Sequence, residues 1–265
     1  MKLDAKEIAS LLRTLSKTAN THRFTSAVIA AAGAGTRMNA DRTKQLLTLD
    51  GVPVIVRTLL AFESCPVIDE IIVAARADEL GFYGEFREKY ALKKLAAVIE
   101  GGETRQESVL KGFEAVSGKC EFVAIHDGAR CLITPEQIEK VVRAAYNHGA
   151  ATACCHVSDT VKRVNTSGFI EETIDRDTLM LAQTPQVFKT ELYRAAAYVA
   201  KEDGFTATDD NMLAEHIGFP VKYVDCGKSN LKLTTPDDLA VAEILLKAIP
   251  HNSKCVDAPA DFSSD

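Results

Sequence analysis

The chain has 265 residues, enough for one large domain or two small ones and for a sizeable hydrophobic core. Its composition, 46% hydrophobic and 26% charged, is that of a globular protein and excludes global disorder; no apolar run reaches the ~18 residues of a membrane-spanning helix. The net charge of −6 disfavours nonspecific binding to nucleic acid or to an anionic membrane, which need a cationic surface, but leaves room for a local cationic pocket.

Residues 1–22 stand apart as an N-terminal extension. Ile8, Leu11, Leu12 and Leu15 recur at helical spacing, so a short amphipathic packing helix or a frayed extension is expected. No long apolar stretch follows the basic start, unlike a signal peptide, and Asp4 and Glu7 count against a transit peptide. The body of the chain, 23–249, opens with a small, apolar run over 25–32 that predicts a buried strand ending at Gly33. Helix is expected over 53–62, with Pro53 near its first turn, and strands over 70–75 and 96–100. A helix over 106–116, a strand over 122–126, a Thr134-capped helix continuing over 137–147 and a strand over 150–156 follow. Strands alternating with helices predict an α/β fold with a mainly parallel sheet.

The pattern then changes. Residues 159–164 and 169–174 alternate polar with apolar and are joined by Asn165-Thr166-Ser167-Gly168, which predicts a hairpin. Such a hairpin is marginal alone, so this arm, about 157–181, must lie on its own domain or gain from pairing with a second copy of the chain. Helices over 192–201 and 209–216, strands over 221–225 and 231–233, and a last helix over 236–249 complete the body. Residues 250–265, rich in Ser, Asp, Ala and Pro, are expected to form a disordered tail. The seven cysteines are odd in number and irregular in spacing, with no C-x-x-C, which argues for buried thiols in a reducing cytoplasm rather than a zinc site or disulfide framework. Cys154 and Cys155 alternate across a strand and cannot easily share a metal.

The most informative segment is Ala31-Ala32-Gly33-Ala34-Gly35-Thr36-Arg37-Met38, followed by Lys44-Gln45. A strand feeding a small-residue turn can offer bare backbone N–H groups to an anion. The dinucleotide fingerprint fails at Met38, and no G-K-[ST] follows. What remains is a phosphate cradle, Ala31 to Gly35, with Arg37 and Lys44 beside it, which suits a polyphosphate. At the end of a buried strand, Asp127 is placed where α/β sheets bind ligands and where a lone carboxylate commonly meets a Mg²⁺ that bridges phosphates.

These residues, with Gly101-Gly102-Glu103-Thr104-Arg105 and Ser108, His126-Asp127-Gly128-Ala129-Arg130, Asp159-Thr160-Val161-Lys162-Arg163, Asp175-Arg176, Thr184-Pro185-Gln186-Val187-Phe188, Thr208-Asp209-Asp210 and Asn230-Leu231-Lys232-Leu233-Thr234, fall in a characteristic order. The set resembles the nucleotidyltransferases, in the form of the 2-C-methyl-D-erythritol 4-phosphate cytidylyltransferases of the non-mevalonate isoprenoid route, over about 24–247. The resemblance implies a Rossmann-like α/β/α sandwich with a protruding β-arm, Mg²⁺ as cofactor, a cytoplasmic homodimer formed through the arm, and CTP and a polyol phosphate as substrates. It implies that Arg37, Lys44 and Lys232 are the catalytic cations. Gly101, Gly102, Glu103, Arg105 and Ser108 would recognise the cytosine and orient its loop, and Asp127 and Gly128 would complete the nucleotide site. Asp127, Arg130, Thr160, Arg176 and Thr184 would bind the acceptor, the arm residues across a subunit boundary. The family usually carries Ala and Pro where this chain has Gly128 and Cys131, and loss of the proline is expected to loosen that turn. Two rival readings are a ribitol 5-phosphate cytidylyltransferase, whose acceptor differs by a branch methyl and its hydroxyl pattern, and a non-catalytic nucleotide-binding sensor.

Overall fold

A computed structural model describes residues 23–33 and 45–248. The N-terminal extension, Ala34, Gly35, Arg37 and Lys44 of the glycine loop, and the C-terminal tail lie outside the described residues. The chain forms β1 (Thr25–Ala30), a short β2 (Thr48–Leu49) and β3 (Val52–Pro53), α1 (Val54–Ser64), β4 (Glu70–Ala75), α2 (Leu80–Lys89), β5 (Leu95–Glu100), α3 (Arg105–Glu114) and β6 (Phe122–Asp127). It continues through α4 (Pro135–His148), β7 (Ala150–His156), the hairpin β8 (Val161–Val164) and β9 (Ile170–Ile174), β10 (Met180–Lys189), α5 (Thr190–Glu202), α6 (Asn211–His216), β11 (Lys222–Asp225) and α7 (Pro236–Ala248).

Seven strands build the central sheet in the order β11-β7-β10-β6-β1-β4-β5. All neighbours are parallel except β10, which runs against both β6 and β7. The α/β sandwich with a mainly parallel sheet expected from the sequence is therefore the fold. Alternation along β1 distributes the core. Ala27 and Ile29 face α1, α2 and α4, packing with Phe62, Ile71, Val73 and Val141. Val28 faces the opposite layer, where Val109, Phe113, Ile125, Phe188, Tyr193 and Leu213 bring in α3, α5 and α6. A third, smaller cluster seats α7 on β2 and on the Ala129–Leu132 turn through Leu49, Leu233, Ala242 and Leu246.

Strand order reverses at β1: the chain steps outward to β4 and β5, then returns to β6 on the other side. Ligands of open α/β sheets bind at such a reversal, beyond the carboxyl ends of the strands. Here Ala30 and Asp127 lie side by side at the ends of β1 and β6. The antiparallel β10 brings its own N-terminal half to the same edge. The hairpin leaves from His156 and returns at Met180, which pairs with His156.

Two expectations are corrected. Residues 231–233 form no strand; Leu233 donates its N–H to the Ala129 carbonyl (2.9 Å) and packs in the third cluster, so this segment is a strap across the sheet edge. The helix expected from Asp209 starts at Asn211. Two elements, β10 and α2, form where the sequence shows no clear period. Phe188, 1% exposed, stands on β10 with its ring 5.6 Å from that of Tyr193. Phe188→Ala is expected to cost about 3–5 kcal/mol of stability in urea denaturation, the cost of emptying a core site; a loss below 1 kcal/mol would remove β10 from the core.

Candidate active site

The carboxylate of Asp127 is the centre of the site, and three cations converge on it. Arg105 Nε lies 3.0 Å from Oδ1, Lys232 Nζ 2.9 Å from Oδ2, and Arg130 Nε 3.6 Å from Oδ2. Burial pushes this carboxyl up, but Arg105, Lys232 and Arg130 together outweigh it and hold it well below the usual carboxylate range. Asp127 is therefore an anion at any physiological pH.

Each cation is set by its own local structure. Arg105 opens α3, whose start is fixed by a capping box: the Thr104 hydroxyl accepts the Glu107 N–H (3.1 Å), and the Glu107 carboxylate accepts the Thr104 N–H (3.3 Å). Its Nη1 reaches on to Asp210 Oδ2 at 2.7 Å. Burial lowers the Arg105 affinity for its proton, but Asp210 and Asp127 more than reverse that. Arg130 follows β6 by one turn and donates through Nη1 to the Asn230 carbonyl (2.8 Å). Lys232 rides on the strap, which Asn230, fully buried, ties to β10 by donating to Gln183 Oε1 (3.0 Å) and the Thr184 carbonyl (2.8 Å).

Beneath Asp127 runs a chain of hydrogen bonds whose direction follows from donor arithmetic. The Asp127 N–H donates to Thr184 Oγ (3.0 Å). His126, fully buried, is kept neutral because burial pulls its pKa down to about 3. A neutral ring has one donor and one acceptor. Its Nε2 faces the Arg130 carbonyl (3.3 Å) and must donate, so Nδ1 accepts from the Thr184 hydroxyl at 3.1 Å. Thr184, 3% exposed, thus gives its proton to His126 and one lone pair to the Asp127 N–H, with its second lone pair unassigned.

The cleft in front of Asp127 is walled by Ala32, Gly33, Gly102, Glu103, Arg105 and Lys232, with Ser108 at its base. Gln45 closes the near side of the glycine loop by donating from Nε2 to the Ala31 carbonyl (3.1 Å). Gly101 is forced by contact: a Cβ there would sit 2.4 Å from that of Ala32 and 2.8 Å from Ser108 Oγ. Ser108 accepts the Gly102 N–H (2.9 Å) and donates to the Thr104 carbonyl (2.8 Å), so its hydroxyl shapes the loop. The Gly128 turn is pinned despite the missing proline: Gly128 N–H donates to the Ala30 carbonyl (2.9 Å), Arg130 N–H to the Asp127 carbonyl (3.0 Å), and Thr58 Oγ to the Gly128 carbonyl (2.9 Å). Cys131 fills the proline's place as a buried apolar group.

Arg37, Lys44, Ala34 and Gly35 lie outside the described residues. The structure brings together Ala31, Ala32, Gly33, Gly101, Gly102, Glu103, Arg105, Ser108, Asp127, Gly128, Arg130, Thr184 and Lys232. Thr160 and Arg176 stand exposed on the arm and do not line this cleft; Arg176 Nη1 holds the arm's base through the Ser158 carbonyl (2.7 Å). Of the adjacent Asp209 and Asp210 ahead of α6, Asp209 caps the helix, its Oδ1 accepting the Met212 N–H (3.1 Å), and Asp210 turns inward to Arg105. Asp210 and Asn230 fall in segments that carry the resemblance, but their partners lie far away in the chain and no spacing points to them.

An open α/β sheet whose strand reversal carries a glycine loop, an ionised carboxylate and converging cations defines a nucleotide-handling transferase of the nucleotidyltransferase class. The family model of 2-C-methyl-D-erythritol 4-phosphate cytidylyltransferase matches residues 25–248. Among proteins of that name, the one from Caldanaerobacter subterraneus subsp. tengcongensis is 45% identical over 223 residues, spanning 84% of this chain and 98% of its own. The one from Geobacillus kaustophilus is 43% identical over 220 residues, spanning 83% and 96%. The crystal structure of 4-diphosphocytidyl-2C-methyl-D-erythritol synthase from Anaerococcus prevotii superimposes with a TM-score of 0.76 at 31% identity, covering 85% of this chain and 97% of that one. The chain belongs to the 2-C-methyl-D-erythritol 4-phosphate cytidylyltransferase family.

Two outcomes test the bonds beneath the carboxylate. Thr184→Val leaves the Asp127 N–H and His126 Nδ1 unpaired and is expected to cost about 1–3 kcal/mol in urea denaturation. The neutral His126 makes stability depend on pH. The unfolded ring takes a proton near 6.5, the folded one only near about 3. Its contribution is complete above the first value and is lost as pH falls toward the second, by up to ~1.4 kcal/mol per pH unit. His126→Gln should flatten the acid slope of the urea midpoint between about pH 6.5 and 4.5, a window above the titration of ordinary carboxylates; an undiminished slope would show that the ring is protonated in the folded state.

Proposed function

We propose that the chain transfers the cytidylyl group of CTP to 2-C-methyl-D-erythritol 4-phosphate. A phosphate oxygen of the acceptor attacks the α-phosphorus, and the bond from that phosphorus to the bridging oxygen breaks. Pyrophosphate leaves with the electron pair. The observation that carries the reading is the convergence of Arg105, Arg130 and Lys232 on Asp127 at the strand reversal. Phosphoryl transfer asks little covalent work of a protein, so positioned cations are its main resource.

In this reading the loop from Ala31 to Gly35 cradles the triphosphate, and the Gly101–Gly102 turn, Glu103 and Ser108 shape the base pocket. Arg37, Lys44 and Lys232 offset charge on the phosphates and on the five-coordinate transition state. Arg130, Asp127 and the remaining lone pair of Thr184 face the acceptor. Asp127 contributes one permanently ionised carboxylate, and among the described residues no group of three or more His, Cys, Asp or Glu could hold a metal. This donor set fits Mg²⁺ that arrives with a nucleotide, because that ion takes one or two carboxylates and completes its shell with phosphates and water. Bound there, Mg²⁺ would supply charge neutralisation across the phosphates.

A homodimer through the arm completes the proposal. Val164, Phe169, Ile170 and Leu181 are large apolar side chains exposed along or beside the hairpin. A second copy covering them would also carry Thr160 and Arg176 to the acceptor. Six cysteines among the described residues are free and buried, which suits the cytoplasm. Among the same residues no helix is long and apolar enough to cross a membrane.

Pyrophosphate release with CTP, Mg²⁺ and either methylerythritol 4-phosphate or ribitol 5-phosphate tests the reading, with ATP, GTP and UTP as nucleotide controls. Release with the first acceptor and CTP is expected, and EDTA should abolish it until Mg²⁺ is restored. Lys232→Ala should lower kcat far more than CTP affinity. Turnover of ribitol 5-phosphate alone would reassign the acceptor, and CTP binding without turnover of either would favour the sensor. Phe169→Asp should shift the sedimentation coefficient from dimer to monomer.

A further inference from the structure

We infer that Asp210 is a positioning residue for the transfer: it anchors Arg105 so that Arg105 keeps hold of Asp127 when nucleotide enters. The inference rests on the cytidylyl-transfer reading of this site. Arg105 is the only one of the three cations on Asp127 that, among the described residues, also pairs with a second carboxylate. Its Nε serves Asp127 at 3.0 Å and its Nη1 serves Asp210 at 2.7 Å.

Asp210 is itself held from two further elements, α5 and β10. Its Oδ1 accepts the Tyr193 hydroxyl of α5 at 3.1 Å. Its N–H donates to Gln186 Oε1 of β10 at 2.8 Å, and the other end of that amide donates to Asp209 Oδ2 at 2.8 Å. Asp210 is 2% exposed, so the pair sits where screening by water is weakest. Lys232 is different: it pairs with Asp127 from a flexible stem 36% exposed to solvent.

A triphosphate entering the cleft competes with Asp127 for every cation in reach. Lys232 can cross to the phosphates by turning its stem. Arg105 could follow only by abandoning a buried carboxylate, and an uncompensated buried charge is costly. Asp210 therefore divides the cations into one that stays with Asp127 and one free to move. Without the Asp210 charge, Arg105 is released to the phosphates in the ground state and Asp127 loses its fixed partner. Ground-state CTP binding is then kept or tightened while turnover falls.

The experiment is a double-mutant cycle on the full chain with Asp210→Asn, Arg105→Gln and both together. Steady-state kinetics and the stoichiometry of CTP binding by calorimetry are measured for each. Asp210→Asn is expected to lower kcat by about 10- to 100-fold, the range for residues that orient others. The KM for CTP should stay unchanged or fall, with one CTP still bound per chain. In the Arg105→Gln background the same change should add less than about twofold, because a residue acting through Arg105 has nothing left to act on. Equal losses in both backgrounds, a raised KM, or an Asp210→Asn enzyme within twofold of wild type would each overturn the inference. A reduced CTP stoichiometry would do so as well, by showing that the substitution damages the fold. Wild-type protein that turns over no acceptor would overturn the transfer reading and this inference with it.

Discussion

A carboxylate as buried as Asp127 stays ionised only if positive charge is brought to it, and the molecule is arranged around that demand. The three cations come from the first turn of α3, from the turn after β6, and from a strap more than a hundred residues further along the chain. Arg130 is local, three residues on from Asp127, but Arg105 and Lys232 reach it only because the fold brings distant segments together. The reversal of strand order at β1 sets Asp127 beside Ala30, just ahead of Ala31–Gly33. The capping box aims Arg105, Asn230 ties down the strap, and the neutral His126 with Thr184 holds the carboxylate's backbone from below.

Burial explains why this arrangement is chemically useful as well as stable. Charge on the side chains that meet phosphate must be strong but not freely hydrated, since water weakens each pairing. Here the guanidinium of Arg105 is half enclosed by two carboxylates, whereas Lys232 keeps a partly solvated stem. The two cations thus share Asp127 and differ in that only Arg105 is also held by a second buried carboxylate.

Much of this was legible from the residues. The apolar run at β1, the Asp127 strand end, the Thr134 cap and the polar alternation of the hairpin each carry a local physical signal. What escaped did so for identifiable reasons. In β10 the expected apolar rhythm is broken by Gln183, Thr184, Pro185 and Gln186, and proline argues against a central strand. Those polar groups are buried because they serve Asp127, Asp210 and the strap. Gly81, Gly84 and a largely charged surface blurred α2. Leu231 and Leu233 alternate like a strand, yet they belong to a strap whose apolar side chains pack beside α7. Asp210 meets Arg105 across 105 residues, a separation at which no spacing rule speaks.

The antiparallel course of β10 has an architectural consequence. The hairpin departs and returns across a single rung of the sheet, His156 opposite Met180. Nothing in the seven-stranded scaffold therefore measures how long the excursion is. The fold of the sheet leaves the arm's reach to be set by what the arm itself meets, as for an insertion whose two chain ends lie side by side at a surface. The scaffold is fixed by its own packing, and the excursion is bounded only at the rung where it leaves and rejoins the sheet.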